Sequence, residues 1–367
     1  MKILFFLSHP AHYHLFINTY KILNESHNCI IAIKTKDILE NLLNSANVSY
    51  YNLQRKNLKR NNKLKLYIDT IGGLLLRDIR LIKLIYKNKP DLMIGTEWAI
   101  AHVGWLLGIP SIIVNEDDTA ATPENKYFYP FAKTLLLPEC CDIEFFNNKR
   151  ISYAGYHELA YLHPNRYVPL KNKIEQLFKD EKNYIIIRLV GLNASHDIDK
   201  KGLSFELINK LIEKYGDKFN IFLSSEITLP PQYLNKVFPL EKKDMHHALS
   251  YAALFIGDSS TMIAEAAILG TPAIRFSDFV GKLSYLEELE HKYGLTYGIK
   301  TSEPEKLLYK VDKLLAIQNL KDEWHKRRMK MLSEKIDVTA FMVWFIENYP
   351  QSVKIMKENP AYQYRFK

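Results

Sequence analysis

The chain has 367 residues, 47% hydrophobic and 25% charged, with a net charge of +9. That length suits two domains of ordinary size, each with its own core, and no stretch approaches the roughly 20 apolar residues a membrane span requires. Cys29 and the adjacent Cys140 and Cys141 argue against a disulfide framework and for a reducing compartment, while KILFFL is too short for the apolar core of a secretory signal.

In chain order the pattern is strand, loop, helix, repeated. KILFFL is a continuous apolar run, as expected of a buried parallel strand. The loop SHPAHYH follows, then a helix to about Leu23 and the strand NCIIAIKT. Residues 55–88 read as one helix or two, with a break near Gly72-Gly73. DLMIGT is a third strand, AIAHVGWLLG a helix closed by Gly108, PSIIVNEDD a fourth strand running into an acidic loop, and TLLLPE another strand. From about Pro169 the scheme restarts. A basic helix over Lys171–Lys179 leads to NYIIIRLVG, then helix GLSFELINKLIEKYG, strand FNIFLSS, helix MHHALSYA, strand LFIGD, a helix, and strand PAIRF. Such alternation implies parallel sheets with right-handed crossovers. The restart implies two Rossmann-like domains, 1–165 and 166–335. The last helix, DVTAFMVWFIENY, is strongly apolar, and 336–367 is expected to pack back on the first domain.

The charge is concentrated. Residues 55–89 hold eleven Lys and Arg against Asp69 and Asp78, an excess equal to that of the whole chain. A solvated basic helix pair is one reading. Attraction to an anionic membrane surface or lipid phosphate is another, since Leu74-Leu75-Leu76 and Ile82, Leu84 and Ile85 supply apolar anchors. No nucleic-acid motif accompanies the charge.

ALFIGDSSTMIAEAAILGTPAIR carries the strongest chemical signal. A strand ends at Asp258, SST turns the chain, and a helix runs to Gly270. The unpaired N–H groups of a helix start attract phosphate, and Ser259, Ser260 and Thr261 add hydroxyl donors. Glu265 lies in an otherwise apolar helix, where a carboxylate requires a partner. The hydroxyls of a ribose would serve, and so would a core arginine.

Among the other loops, SHPAHYH sets His9, His12 and His14 after the first strand, offering a general base, a metal site or structural hydrogen bonds. NEDDT places Glu116, Asp117 and Asp118 at a strand end, and Glu97 follows another strand. Arg188 lies within a strand of the second half and is free to pair with a carboxylate. NASHD supplies Ser195 and His196, and Glu226 ends the next strand. GYHELAYLHP reads as packing near the domain junction.

DSSTMIAEAAILGTP resembles the nucleotide-binding stretch of UDP-N-acetylglucosamine 2-epimerases and GT-B glycosyltransferases, with Ser260-Thr261 where those families have glycines. SHPAHYHLF, YAGYHELAYLHP, RLVGLNASHDIDKKGLS, SSEITLPP and the MHHALSYAALFIGDSSTMIAEAAILGTPAIR block, in that order, resemble the prokaryotic family called domain of unknown function 354. That resemblance implies a GT-B-like fold, two Rossmann-like domains facing across a cleft, with a nucleotide-sugar as co-substrate and neither cofactor nor metal. It implies Ser259, Ser260, Thr261 and Glu265 as nucleotide contacts, joined by His196, Ser195, Arg188 and a base-stacking Phe238. Inverting GT-B enzymes draw a base from the loop after the first strand, which marks His12, then His9, as catalytic; the 2-epimerases have a catalytic glutamate at a strand end that Glu116 resembles, with Asp117 beside it.

The expected function is glycosyl transfer from a nucleoside-diphosphate sugar, UDP-linked, to a surface-polysaccharide or lipid-linked acceptor, with His12 as base. The expected setting is cytoplasmic, at the inner face of the cell membrane. The alternatives are a UDP-N-acetylglucosamine 2-epimerase-like activity and a non-catalytic nucleotide-sugar-binding protein.

Overall fold

The computed structural model describes residues 1–35, 38–54, 63–178, 181–191 and 202–367, with the backbone alone described over 63–71. The described residues form an α/β protein with two parallel sheets and divide into two compact units, 1–161 with 336–367, and 162–335.

The first unit holds β1 (Lys2–Leu7), β2 (Asn28–Lys34), β3 (Tyr51–Gln54), β4 (Leu92–Gly95), β5 (Ser111–Val114), β6 (Thr134–Pro138) and β7 (Arg150–Tyr153), in the order β3-β2-β1-β4-β5-β6-β7. The inner strands are continuous apolar runs because helices cover both faces; Ile3, Leu4, Phe5 and Phe6 are fully buried. From β1 the chain moves one way to β2 and β3, then crosses back and continues the other way from β4. Right-handed crossovers therefore set α1 (Pro10–Leu23) and α2 (Leu39–Ser45) on one face, and α3 (Lys63–Asn88) and α4 (Trp98–Leu107) on the other. The reversal of direction falls between β1 and β4, and ligands of open parallel sheets bind at the carboxyl ends beside such a point.

α3 is a single helix through Gly72 and Gly73, so the break expected there is absent. Each glycine costs about 1 kcal/mol, but Arg77, Leu81, Leu84 and Ile85 bury one side of the following turns. α5 (Leu159–Leu162) is a single turn.

The second unit holds β8 (Tyr184–Leu189), β9 (Asn220–Ser225), β10 (Leu254–Gly257), β11 (Ala273–Phe276) and β12 (Thr296–Ile299), ordered β12-β11-β10-β8-β9, with its reversal between β8 and β10. Its helices are α6 (Phe205–Tyr215), α7 (Met245–Tyr251), α8 (Ser260–Leu269), α9 (Ser284–Glu287), α10 (Pro304–Leu315) and α11 (Leu320–Glu334). The basic helix expected over Lys171–Lys179 is instead a pair of 3₁₀ turns, Lys171–Lys173 and Glu175–Leu177. Ile174 and Leu177, three residues apart and both fully buried, fit the threefold repeat of that tighter coil.

The chain then returns to the first unit. Asp337 caps α12 (Val338–Glu347), accepting from the N–H of Ala340 at 3.0 Å, and α12 packs on α1. It is not the final helix: α13 (Gln351–Glu358) and a 3₁₀ run over Pro360–Phe366 follow.

Candidate functional site

In the second unit the candidate residues gather at the carboxyl ends of β8, β9 and β10. Ser259 caps α8, its Oγ accepting from the N–H of Met262 at 3.4 Å, and Ser260 and Thr261 sit half-buried in the first turn. Asp258, one residue earlier, accepts the N–H of Val190 at 2.9 Å, which ties the ends of β10 and β8 together across the reversal point. Burial raises its carboxyl to about 6 despite that bond. The approach is close enough that a Cβ on Gly202 would lie 2.3 Å from Oδ2 of Asp258.

Glu265 is 5% exposed, and its Oε1 meets Nε2 of His246, on α7, at 2.9 Å. The fully buried core arginine, Arg275, is taken by a different carboxylate: its Nη2 donates to Glu287 at 2.7 Å. The imidazole of His246 stands edge-on to Tyr167, whose ring stacks on His247 and whose hydroxyl meets Nδ1 of His247 at 2.5 Å.

Arg188 donates to Oγ of Ser224 at 2.8 Å and to Glu226, so its guanidinium ties β8 to the end of β9. Phe238 lies edge-on to Phe222, and its N–H donates to the carbonyl of Leu223. Ser195 and His196 lie outside the described residues. Among the described residues, Glu287, Glu290 and His291 bring ligand-type atoms within 4.8 Å of one another. Protein groups already use two of these carboxylates: Arg275 and the N–H of Gly281 bind Glu287, and the N–H of Gly298 binds Glu290.

In the first unit His9 caps α1, its Nδ1 accepting from the N–H of Ala11 at 3.2 Å. Nδ1 of His12 receives the N–H of Ser8 at 3.3 Å and lies 2.7 Å from the hydroxyl of Thr96, at the end of β4. These contacts span the β1–β4 reversal point. The ring of His14 turns away to lie against Tyr161.

Glu116 follows β5. Its Oε2 accepts the N–H of His157 at 3.1 Å, and its Oε1 stands 3.3 Å from Nδ1 of the same residue. Burial lifts the carboxyl well above the ordinary glutamate range, and the charges of Glu158 and Asp117 push it further. Burial also holds His157 neutral, down to about 3. His157 and Glu158, read from the sequence as packing residues, thus set the surroundings of the Glu116 carboxyl. Asp117 is half-buried beside them. Asp118 is 4% exposed and accepts the N–H of Asp142, which orders the loop. Glu97 faces Nε of Arg77 at 3.8 Å, and Arg77 also donates to Gln54.

Comparison with known proteins gives three findings. The family described as "Protein of unknown function (DUF354)" matches residues 1–343. An uncharacterized protein of Methanocaldococcus jannaschii is 28% identical over 207 residues, covering 54% of this chain and 60% of that protein, so the match spans somewhat over half of its length. Among solved structures, the UDP-GlcNAc 2-epimerase of Neisseria meningitidis bound to UDP-GlcNAc superposes with a TM-score of 0.62 at 15% identity, covering 95% of this chain and 100% of that one. A putative UDP-N-acetylglucosamine 2-epimerase of Listeria monocytogenes gives 0.64 at 14% identity, covering 95% and 96%. The kitacinnamycin glycosyltransferase gives 0.63 at 10% identity, covering 95% and 98%. The fold is that of GT-B glycosyltransferases and UDP-N-acetylglucosamine 2-epimerases.

Proposed function

For a chain that belongs to the DUF354 family, we propose glycosyl transfer from a UDP-linked sugar to a surface-polysaccharide or lipid-linked acceptor. The observation that carries this reading is the start of α8. The first-turn N–H groups of a capped helix, three adjacent hydroxyls and a buried carboxylate four residues beyond Thr261 stand beside the β8–β10 reversal point. Helix starts of this kind hold diphosphates, and Ser259, Ser260 and Thr261 would take the phosphate oxygens while Glu265 takes the ribose. A similarly folded epimerase is bound to UDP-GlcNAc. As the sugar bond breaks, the same N–H groups and dipole would stabilise the charge gathering on the leaving diphosphate.

An acceptor carried on lipid is supported by the outer face of α3. Leu75, Leu76 and Ile79 are exposed there among Arg80, Lys83 and Lys87, and α4 adds exposed Trp105 and Leu106. Exposed apolar side chains mixed with cations suit an anionic bilayer.

The second reading, nucleotide-sugar 2-epimerisation, is favoured by one observation, the buried carboxyl of Glu116 with its pKa pushed up, a group poised for proton exchange on a sugar ring. One experiment separates the two. Purified protein is incubated with UDP-N-acetylglucosamine alone and the sugar followed by NMR. The transferase reading expects no inversion at C2, and appearance of the manno sugar or its UDP ester overturns it. A melting temperature that no nucleotide-sugar raises overturns both readings.

A further inference from the structure

His12 and Glu116 both stand at carboxyl ends of strands in the first unit, and either residue type can accept a proton. The hydrogen bonds around His12 decide which of them does. Its Nδ1 receives the backbone N–H of Ser8 at 3.3 Å, and the hydroxyls of Thr96 and Ser8 lie at 2.7 and 3.4 Å from the same atom. A backbone N–H only donates, so Nδ1 presents its lone pair. A neutral imidazole carries one proton, and here it must sit on Nε2. Acting as a base through Nε2 would require the opposite tautomer. Nδ1–H would then point at the Ser8 N–H and leave that buried-side donor unpaired. His9 is fixed in the same sense, because its Nδ1 accepts the N–H of Ala11 as the cap of α1.

We propose that His12 is locked as a hydrogen-bond donor through Nε2–H and that the proton of the acceptor hydroxyl goes to Glu116 instead. Glu116 is oriented for this by a residue that the sequence marks only as packing. The N–H of His157 fixes Oε2, its imidazole faces Oε1, and the side chain of Glu116 retains 13% exposure. Within the transferase reading, on which this division of roles rests, the acceptor oxygen bonds to the anomeric carbon as its proton passes to the Glu116 carboxylate. The bond from that carbon to the diphosphate breaks, and the diphosphate leaves with the electron pair. His12 meanwhile holds an oxygen through Nε2–H, and His157 is a positioning residue.

The site of the proton on His12 is tested without any substrate. The full chain is labelled with ¹⁵N-histidine, and two-bond ¹H–¹⁵N correlations are recorded at neutral pH, with the His12 signals assigned by their loss in His12→Gln. The expected pattern has the proton on Nε2 and an unprotonated Nδ1. An Nδ1–H tautomer, or an imidazolium, overturns the proposal. Because the spectrum needs no nucleotide-sugar, failure to bind UDP sugars counts against the transferase reading alone. Turnover gives a second measure, with UDP release from UDP-N-acetylglucosamine as the probe and water standing in as the acceptor hydroxyl. His12→Gln keeps an N–H donor and should stay within about tenfold of the parent, whereas His12→Ala should lose about 10²–10³-fold. Equal losses of about 10²–10⁴-fold in both variants, as removal of a base gives, overturn it.

Discussion

Replacing Glu265 with glutamine separates a ribose-binding carboxylate from a structural one. The side chain is 5% exposed, and its Oε1 meets Nε2 of His246 at 2.9 Å. Glutamine has the same shape and keeps an oxygen to accept the imidazole N–H, so folding stability should change by less than about 1 kcal/mol. A hydrogen bond from a ribose hydroxyl to a carboxylate contributes about 1.5–3 kcal/mol. Its weakening should lower UDP affinity roughly 10- to 150-fold. Calorimetric titration with UDP and with 2′,3′-dideoxy-UDP reads this directly, since the dideoxy compound lacks the hydroxyls and should bind parent and variant alike. Equal UDP affinity in parent and variant would refute the assignment. So would a loss of the same size for the dideoxy compound, which would place the effect in the protein and not at the ribose.

Asp258 sets a pH dependence of unusual sign. Its carboxyl is raised to about 6 in the folded chain from about 4 when unfolded, so the folded state holds the extra proton between those values. Stability should therefore fall by about 2–3 kcal/mol as pH rises from about 4 to about 6. Asp258→Asn should flatten that limb of the urea-midpoint profile, and a slope that survives the substitution refutes the assignment. Ser259→Ala removes the α8 cap and should cost about 1 kcal/mol. It should lower the melting temperature by about 2–4 °C and weaken UDP, while equal melting temperatures would show that the cap contributes nothing. Glu287→Ala strips a partner from the fully buried Arg275 and should cost about 3–5 kcal/mol. That loss reads as a lower urea midpoint at unchanged slope. Ile79→Glu with Trp105→Glu places charge on exposed apolar positions and should abolish co-sedimentation with anionic vesicles at unchanged melting temperature. Undiminished sedimentation would assign that face to solvent.

Much of the fold is legible where one physical cause dominates. The central strands announce themselves as continuous apolar runs because both faces are covered. Helix ends at Gly108 and Gly270 are readable because the chain turns left-handed there, at φ 69° and 84°. The strands left unread, β3, β7 and β12, are all sheet edges of four residues, where half-exposed positions such as Asn52, Arg150 and Tyr297 break the apolar run. Of the candidate residues, the hydroxyls at the start of α8 are visible because the cap, the turn and the helix are contiguous. His157 is not, because its partner Glu116 lies 41 residues away and joins it only through the sheet. Nδ1 of His12 also meets Thr96, 84 positions distant, and a local reading sees three histidines without knowing which nitrogen carries the proton.

The first unit is assembled from two separated stretches, 1–161 and 336–367, whereas the second is one uninterrupted stretch. During synthesis the second unit has its whole complement of strands and helices while the first still lacks α12, whose Phe341, Met342, Phe345 and Ile346 are fully buried. A nascent chain stalled near 335 would hold a finished second unit beside a first unit with an uncovered apolar face. Addition of α12 is then the step that covers the half holding His12 and Glu116, so that half matures after the second unit is complete.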